Sequence, residues 1–333
     1  MGSLILVIVI IILAWAYDFW NGANDCANSI ATTVSTRALP FKRAIFLASF
    51  FNLFGAFVTT AVAKTIGKGI VSSEIITQQL LIFALIGAIS WVVLSTKSGI
   101  PISVTHSLIG GLIGTAIVSG GISALLSKGL LKVLIGLFLA PTIGFLSGVF
   151  LIIIFSWLIK IFFSKSLAFK ISQFFRFGQI FSASAVSFSH GVNDTQNAMA
   201  IITASLFAAG FLTEFKVPLW VILGSGTFMA LGTLYGGQTV IKTLGRKIYK
   251  IQPLHGFCAE ISSAIIVILH SLAGIPLSTT QIISSAVVGA GAIERRALVN
   301  WRKVIGIFFT WLFTIPGAAI ISGISFSIFK CIT

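Results

Sequence analysis

Ten runs of apolar residues divide the chain, near 4–33, 41–63, 77–96, 100–120, 129–159, 178–211, 217–241, 254–273, 276–293 and 304–329. A helix needs about 20 apolar residues to cross a bilayer, so the pattern predicts ten crossing helices. The runs at 100–120 and 276–293 are short, glycine-rich and polar. They are expected to be broken or re-entrant, their non-helical backbone buried in protein or lining a wet cavity. Leu4 to Ala16 lacks a basic leader and runs straight into a polar motif, so it reads as a retained span rather than a signal peptide.

Composition supports the same class. Of 333 residues, 57% are hydrophobic and 9% charged, against about 25% charged in a soluble domain. A soluble enzyme, a disordered chain and a disulfide scaffold are excluded. Cys26, Cys258 and Cys331 form no disulfide or metal pattern. The net charge of +15 does not point to nucleic acid, because the basic residues cluster between apolar runs. With the N-terminus outside, only Lys64, Lys68, Lys128, Lys132, Lys216 and Lys330 of the 22 basic residues lie outside. That bias obeys the positive-inside rule and predicts ten crossings of a cell membrane with both termini outside.

The chain also repeats itself. Residues 21–28 (Asn-Gly-Ala-Asn-Asp-Cys-Ala-Asn) match 190–197 (His-Gly-Val-Asn-Asp-Thr-Gln-Asn) at an offset of 169. Residues 99–106 match 274–281 at an offset of 175, as do Pro141 with Pro316 and Gly148 with Gly323. Halves of five crossings each enter the membrane from opposite sides. The expected fold is therefore an all-α polytopic membrane protein of two inverted-topology repeats, 1–160 and 177–333, joined by a basic cytoplasmic linker, 161–176. Interrupted segments at matching positions of such repeats mark the binding site of many transporters.

Asp25, Asp194 and Glu260 fall within membrane segments, where a carboxylate costs about 2.5–3.5 kcal/mol on insertion scales, and no Lys or Arg lies in a span beside them. Together with the side-chain carbonyls of Asn24, Asn28, Asn193 and Asn197 they suit a small hard cation such as sodium. Asn24, Asp25, Asn193, Asp194 and Glu260 form the candidate sodium set, with protons as the alternative coupling ion. Asp18 lies in the first segment without an acidic counterpart, since Ser187 stands at the matching position. The Gly-x-Pro-x-Ser-x-Thr segments are expected to place proline in the first turn of a helix. Ser103, Thr105, Ser278, Thr279 and Thr280 then sit beside free backbone N–H groups, a ready anion site. Asn28, Asn197 and His190 complete the candidate anion set. With no fixed positive side chain, a bound cation would supply the anion's field, which is the logic of a symporter.

These motifs resemble the inorganic phosphate transporter family (PiT), sodium- or proton-coupled. The duplicated Gly-x-Asn-Asp-x-x-Asn block (22–28 and 191–197), the Pro-x-Ser-x-Thr segments (101–106 and 276–281) and the Gly256–Glu260 stretch carry the likeness over nearly the whole chain. The resemblance implies a central phosphate site, sodium sites near the Asn-Asp blocks, no covalent cofactor and a homodimer. Asn52 stands where animal relatives carry glutamate, and Gln281 where a histidine often occurs. A sulfate or related oxyanion permease of the same fold is the alternative, and an anion channel the alternative of another class. An enzyme is not expected: a membrane hydrolase would carry one nucleophile–base set rather than symmetric copies, and no ATP-cradling glycine motif is present.

Overall fold

The computed structural model describes residues 2–162, 168–243, 251–295 and 299–332. In chain order its α-helices are α1 (Gly2–Ser35), α2 (Phe41–Gly55), α3 (Ala61–Gly69), α4 (Gln78–Ser98), α5 (Val104–Gly120), α6 (Ser127–Phe162), α7 (Ala168–Asp194), α8 (Gln196–Ala208), α9 (Leu219–Tyr235), α10 (Gln238–Lys242), α11 (Pro253–Leu272), α12 (Thr279–Arg295) and α13 (Trp301–Ile332). Among the described residues there is no β-strand, although an isolated bridge pairs Val71 with Leu125. The basic residues Lys165, Arg246, Lys247, Lys250 and Arg296 of the predicted inside loops lie outside the described residues, as does 163–167 of the linker.

Five helices, α1, α4, α6, α11 and α13, are long and apolar enough to cross a membrane. Their outer faces expose large apolar side chains such as Ile12, Phe150 and Ile320. Three predicted spans are broken. The run 41–63 stops after Gly55 and resumes at Ala61, 178–211 breaks at Thr195, and 217–241 breaks at Gly236–Gly237, where Gly236 has φ +68°. Ala56, Phe57 and Val58 after Gly55 are as apolar as a span, so hydropathy alone passes over that break. The prolines also differ from expectation. Pro101 and Pro276 precede the helices, and Ser103 and Ser278 take the capping role instead. Proline holds the preceding Ile100 and Ile275 in extended backbone, and the helices begin directly after the capping serines, at Val104 and Thr279.

Both halves show one succession of elements. A long helix carries the Asn-Asp motif (α1; α7 with α8) and is followed by a broken pair (α2 and α3; α9 and α10). Next comes a long helix (α4; α11), a short one after an extended Gly-Ile-Pro segment (α5; α12), and a long helix with an interior proline (α6 with Pro141; α13 with Pro316). Gly99 and Gly274 end α4 and α11 at φ +68° and +69°, a left-handed turn that aims each extended segment back into the protein. Thr65 beside the second segment donates to the Gly274 carbonyl at 2.7 Å, and Thr243 beside the first donates to the Gly99 carbonyl at 2.9 Å.

Packing crosses between the halves: α6 lies on α12, α13 on α5, α1 on α9 and α7 on α2. Helices in lipid gain little from the hydrophobic effect and associate through close packing at small residues. A Cβ on Gly22 would fall 2.1 Å from the Met229 carbonyl oxygen, and one on Gly191 would fall 2.1 Å from that of Asn52. These two contacts bring both Asn-Asp motifs against the opposite half.

Gly22→Ala and Gly191→Ala are therefore expected to destabilise the detergent-solubilised protein by about 1–3 kcal/mol, read as a fall in melting temperature. Gly306→Ala, where an added Cβ meets nothing within 4 Å, should leave the melting temperature unchanged.

Candidate functional site

α1 and α7 place Asp25 and Asp194 on either side of one imidazole. His190 Nε2 lies 3.6 Å from Asp25 Oδ2 and 3.6 Å from Asp194 Oδ2, and all three residues are buried. The neutral tautomer of the ring follows from its neighbours. The Thr233 hydroxyl donates to the Met229 carbonyl, so it accepts from Asn52 Nδ2 at 2.8 Å. Asn52 Oδ1 is then the acceptor that faces His190 Nδ1 at 3.1 Å, and Nδ1 carries a proton. Nε2 is left turned toward two carboxylates at distances too long for a direct hydrogen bond. The ligand atoms of Asp25, His190 and Asp194 all lie within 4.8 Å of one another. Such a triangle is stable only with positive charge in it, either a second proton on the ring or a small cation.

Around the triangle the two motifs make reciprocal bonds. Asn28 Nδ2 donates to Thr280 Oγ1 at 2.8 Å, and Asn197 Nδ2 donates to Thr105 Oγ1 at 2.9 Å. Each bond ties the Asn-Asp motif of one half to the hydroxyl segment of the other. Asn24 Nδ2 donates to Thr96 at 2.8 Å, and Asn193 accepts from Ser271 at 3.0 Å, again at matching positions. Thr280 also donates to Asp25 at 2.9 Å, while Asn193 Nδ2 donates to Asp194 at 2.7 Å and to the Leu277 carbonyl at 2.8 Å. Ser103 and Ser278 cap α5 and α12 by accepting from the backbone N–H of His106 and Gln281. The first turns, with Thr105 and with Thr279 and Thr280, present the helix amides left free at an N-terminus.

The buried atoms here that lack a hydrogen-bond partner include Asn24, Asn28 and Asn197 Oδ1, Asp25 Oδ2 and His190 Nε2. All five are acceptors when the His190 ring is neutral. A cluster of unmet acceptors is what a cation satisfies, so the residues fit the cation the sequence anticipates. A narrow crevice lined by Asn28, Thr32, Ile283, Ser284 and Val287 runs between α1 and α12 beside the centre.

Comparison with known proteins identifies the family. Residues 21–322 match the model of the phosphate transporter family. The chain belongs to that family. It is 42% identical over 323 residues to a "probable low-affinity inorganic phosphate transporter" of Rhizobium meliloti (strain 1021), covering 96% of each chain. It is 41% identical over 332 residues to the protein of the same description in Bacillus subtilis (strain 168), covering 99% of this chain and 98% of the other. A solved structure, "the sodium-dependent phosphate transporter", superposes with a TM-score of 0.86 at 28% identity, over 98% of this chain and 100% of that one. The family and these relatives are transporters, not enzymes, and a member with several such apolar helices is a multi-pass membrane protein.

Not every candidate joins the centre. Glu260 on α11 is held instead by hydroxyls of Thr32, Thr33 and Ser182 toward the C-terminal end of α1, with Thr33 at 2.8 Å. Thr32 is two helical turns beyond Asp25, about 10 Å. At the repeat offsets Leu85 matches Glu260, Ile201 and Ile202 match Thr32 and Thr33, and Leu13 matches Ser182, so this cluster exists once. His190, expected at the edge of the anion set, stands between both aspartates. Residue patterns did not reveal Asn52 and Thr233 as its support. Thr96 and Ser271 were detectable, since they match at the offset of 175.

A double-mutant cycle on Asn28→Ala and Thr280→Val, read as melting temperature in detergent, is expected to give a coupling of about 0.5–1.5 kcal/mol. Strict additivity would remove that bond from the account.

Proposed function

We propose that the chain imports inorganic phosphate by symport with a cation, sodium in preference to a proton. The observation that carries this is the reciprocal Asn28–Thr280 and Asn197–Thr105 pairing, which holds two capped helix N-termini beside a carboxylate–imidazole triangle. In this reading Asn24, Asp25, Asn193 and Asp194 take the sodium ion, and Glu260 takes a separate one. Phosphate lies between the first turns of α5 and α12, against Ser103, Thr105, Ser278, Thr279 and Thr280, with Asn28, Asn197 and His190 at its edge. Sodium as the partner is supported by the name of the similar solved structure and by a donor set made largely of hard oxygens.

The architecture proposed is two inverted repeats, 1–160 and 177–333, with the cytoplasmic linker 161–176, re-entrant segments before α5 and α12, and both termini outside. The matching succession of helices and their exchanged packing support it. A homodimer belongs to the same reading through the family resemblance. Inverted repeats permit alternating access, in which one half rocks against the other around a fixed site.

The order of binding follows from charge. Phosphate arriving first would meet two carboxylates opposed by helix dipoles and by whatever charge His190 carries. Sodium arriving first neutralises a carboxylate and makes the field favourable to the anion. Linkage then requires phosphate to tighten sodium by the same factor.

Reconstituted into vesicles, the protein should accumulate phosphate when a sodium gradient alone is imposed. Accumulation under a proton gradient alone would make the proton the coupling ion, and uptake indifferent to either gradient would make the protein a channel. Full competition by sulfate would widen the substrate to oxyanions in general. Asp25→Asn and Asp194→Asn should each abolish sodium-driven uptake in a folded protein; wild-type uptake in both removes them from coupling. Ser103→Ala and Thr280→Val each delete a bond to a charged ligand worth about 1.5–3 kcal/mol, so phosphate affinity should fall roughly tenfold or more. Unchanged affinity in both moves the anion elsewhere.

A further inference from the structure

Asp18 has no part in the site described above. It is fully buried on α1, and neither carboxylate oxygen takes a hydrogen bond among the described residues. The ion pairs of buried acids among those residues join Asp25 and Asp194 to His190, and none reaches Asp18. Leaving such a group bare inside the membrane is costly, and its surroundings suggest what relieves it. Ser225 on α9 lies beside Asp18 without completing a hydrogen bond. Buried hydroxyls of this protein commonly donate back to their own helix, as Ser187 does to Ala183, Thr233 to Met229 and Ser263 to Ala259. Ser225 does not, and its oxygen has no partner. Asn21 is one turn beyond Asp18 on the same face of α1, fully buried, with both amide atoms unpartnered.

We propose that Asp18, Asn21 and Ser225 form a further sodium site, displaced along α1 toward its N-terminus from the central triangle. A proton on Asp18 would let the acid donate to one of the Asn21 and Ser225 oxygens and leave the other unmet. A single hard cation satisfies the carboxylate, the amide oxygen and the hydroxyl together. One carboxylate with two neutral oxygens favours a monovalent over a divalent ion, because the cluster is then neutral. The positions 18, 21, 25, 28 and 32 recur at spacings of three and four and share one face of α1. Asp18 is seven residues from Asp25, about 10 Å along the axis. An ion there lies on the same polar line as the central site without sharing its ligands. The site is single. Ser187 and His190 occupy the matching positions of the second half, where Ser187 bonds its own helix and His190 serves the triangle.

The proposal deepens the symport reading and rests on it for the role of sodium. Its test is equilibrium binding of radioactive sodium to the detergent-purified full chain without phosphate. Wild type, Asp18→Asn, Ser225→Ala and Asp25→Asn are compared, with the melting temperature of each as a check on folding. Asp18→Asn should lose one sodium ion per protomer. Ser225→Ala should keep the number and bind that ion several-fold more weakly, and Asp25→Asn should retain the Asp18 ion. Wild-type stoichiometry and affinity in Asp18→Asn overturn the site while sodium-driven uptake, and with it the symport reading, still stands. If Asp18→Asn does not fold, unchanged sodium affinity in Ser225→Ala overturns the site. No sodium binding by wild type overturns both readings. A variant that keeps its sodium and loses only the pH dependence of uptake makes Asp18 a proton carrier, which also overturns the sodium site.

Discussion

Two carboxylates and one imidazole share the centre of a membrane protein in which no lysine or arginine crosses near them. The remaining geometry of the centre makes that burial tolerable. Threonine hydroxyls and asparagine amides donate toward the acids, and capped helix ends aim their amides inward. The glycine contacts of α1 with α9 and of α7 with α2 bring the backbones close enough for Asn52 to reach His190. Relaxing any of these would leave a charge in a low-dielectric interior with nothing to offset it. The oxygens that remain unmet are acceptors, which a positive charge would satisfy.

Much of this was legible in the sequence because duplication exposes what matters. The offsets of 169 and 175 identify the two Asn-Asp motifs and the two hydroxyl segments, and the structure joins them through Asn28–Thr280 and Asn197–Thr105. The capping role of Ser103 and Ser278 was not anticipated, because the motif was read with proline in the first turn. The break after Gly55 was hidden because Ala56, Phe57 and Val58 are as apolar as a span, and the break at Thr195 because the matching motif 21–28 runs through unbroken helix, so the motif itself does not mark a break. The bridging role of His190 was hidden for another reason. It depends on how α7 crosses α1 and α2, and a tertiary crossing leaves no periodic trace. Glu260 was correctly marked as unusual, yet its hydroxyl partners come from α1 and α7, far away in the chain.

The symmetry of the centre is close but not complete. Bonds that hold motif to motif are repeated, whereas those that touch charge are not. Thr280 donates to Asp25, and the nearest counterpart for Asp194 is Thr279 at 3.4 Å rather than Thr105. His190 occupies the position of Asn21, and Asn52 packs against Gly191 as Met229 does against Gly22. Duplicated packing thus supplies a frame, and single substitutions within it place the charges. That division explains how one frame can accept different ions: the helix contacts need not change when a charged position does.

The Glu260 cluster carries this furthest. On the inverted-repeat reading, two identical copies would give a molecule whose outward-open and inward-open forms are related by a two-fold rotation about an axis in the membrane plane, equal in free energy and populated equally at rest. Glu260 with Thr32, Thr33 and Ser182 lies where the other half has Leu85, Ile201, Ile202 and Leu13. Wetting one of these surfaces hydrates a carboxylate and three hydroxyls, whereas wetting the other exposes hydrocarbon. On that reading the degeneracy would be lifted before any cargo arrives, and the empty carrier would rest with a preferred face.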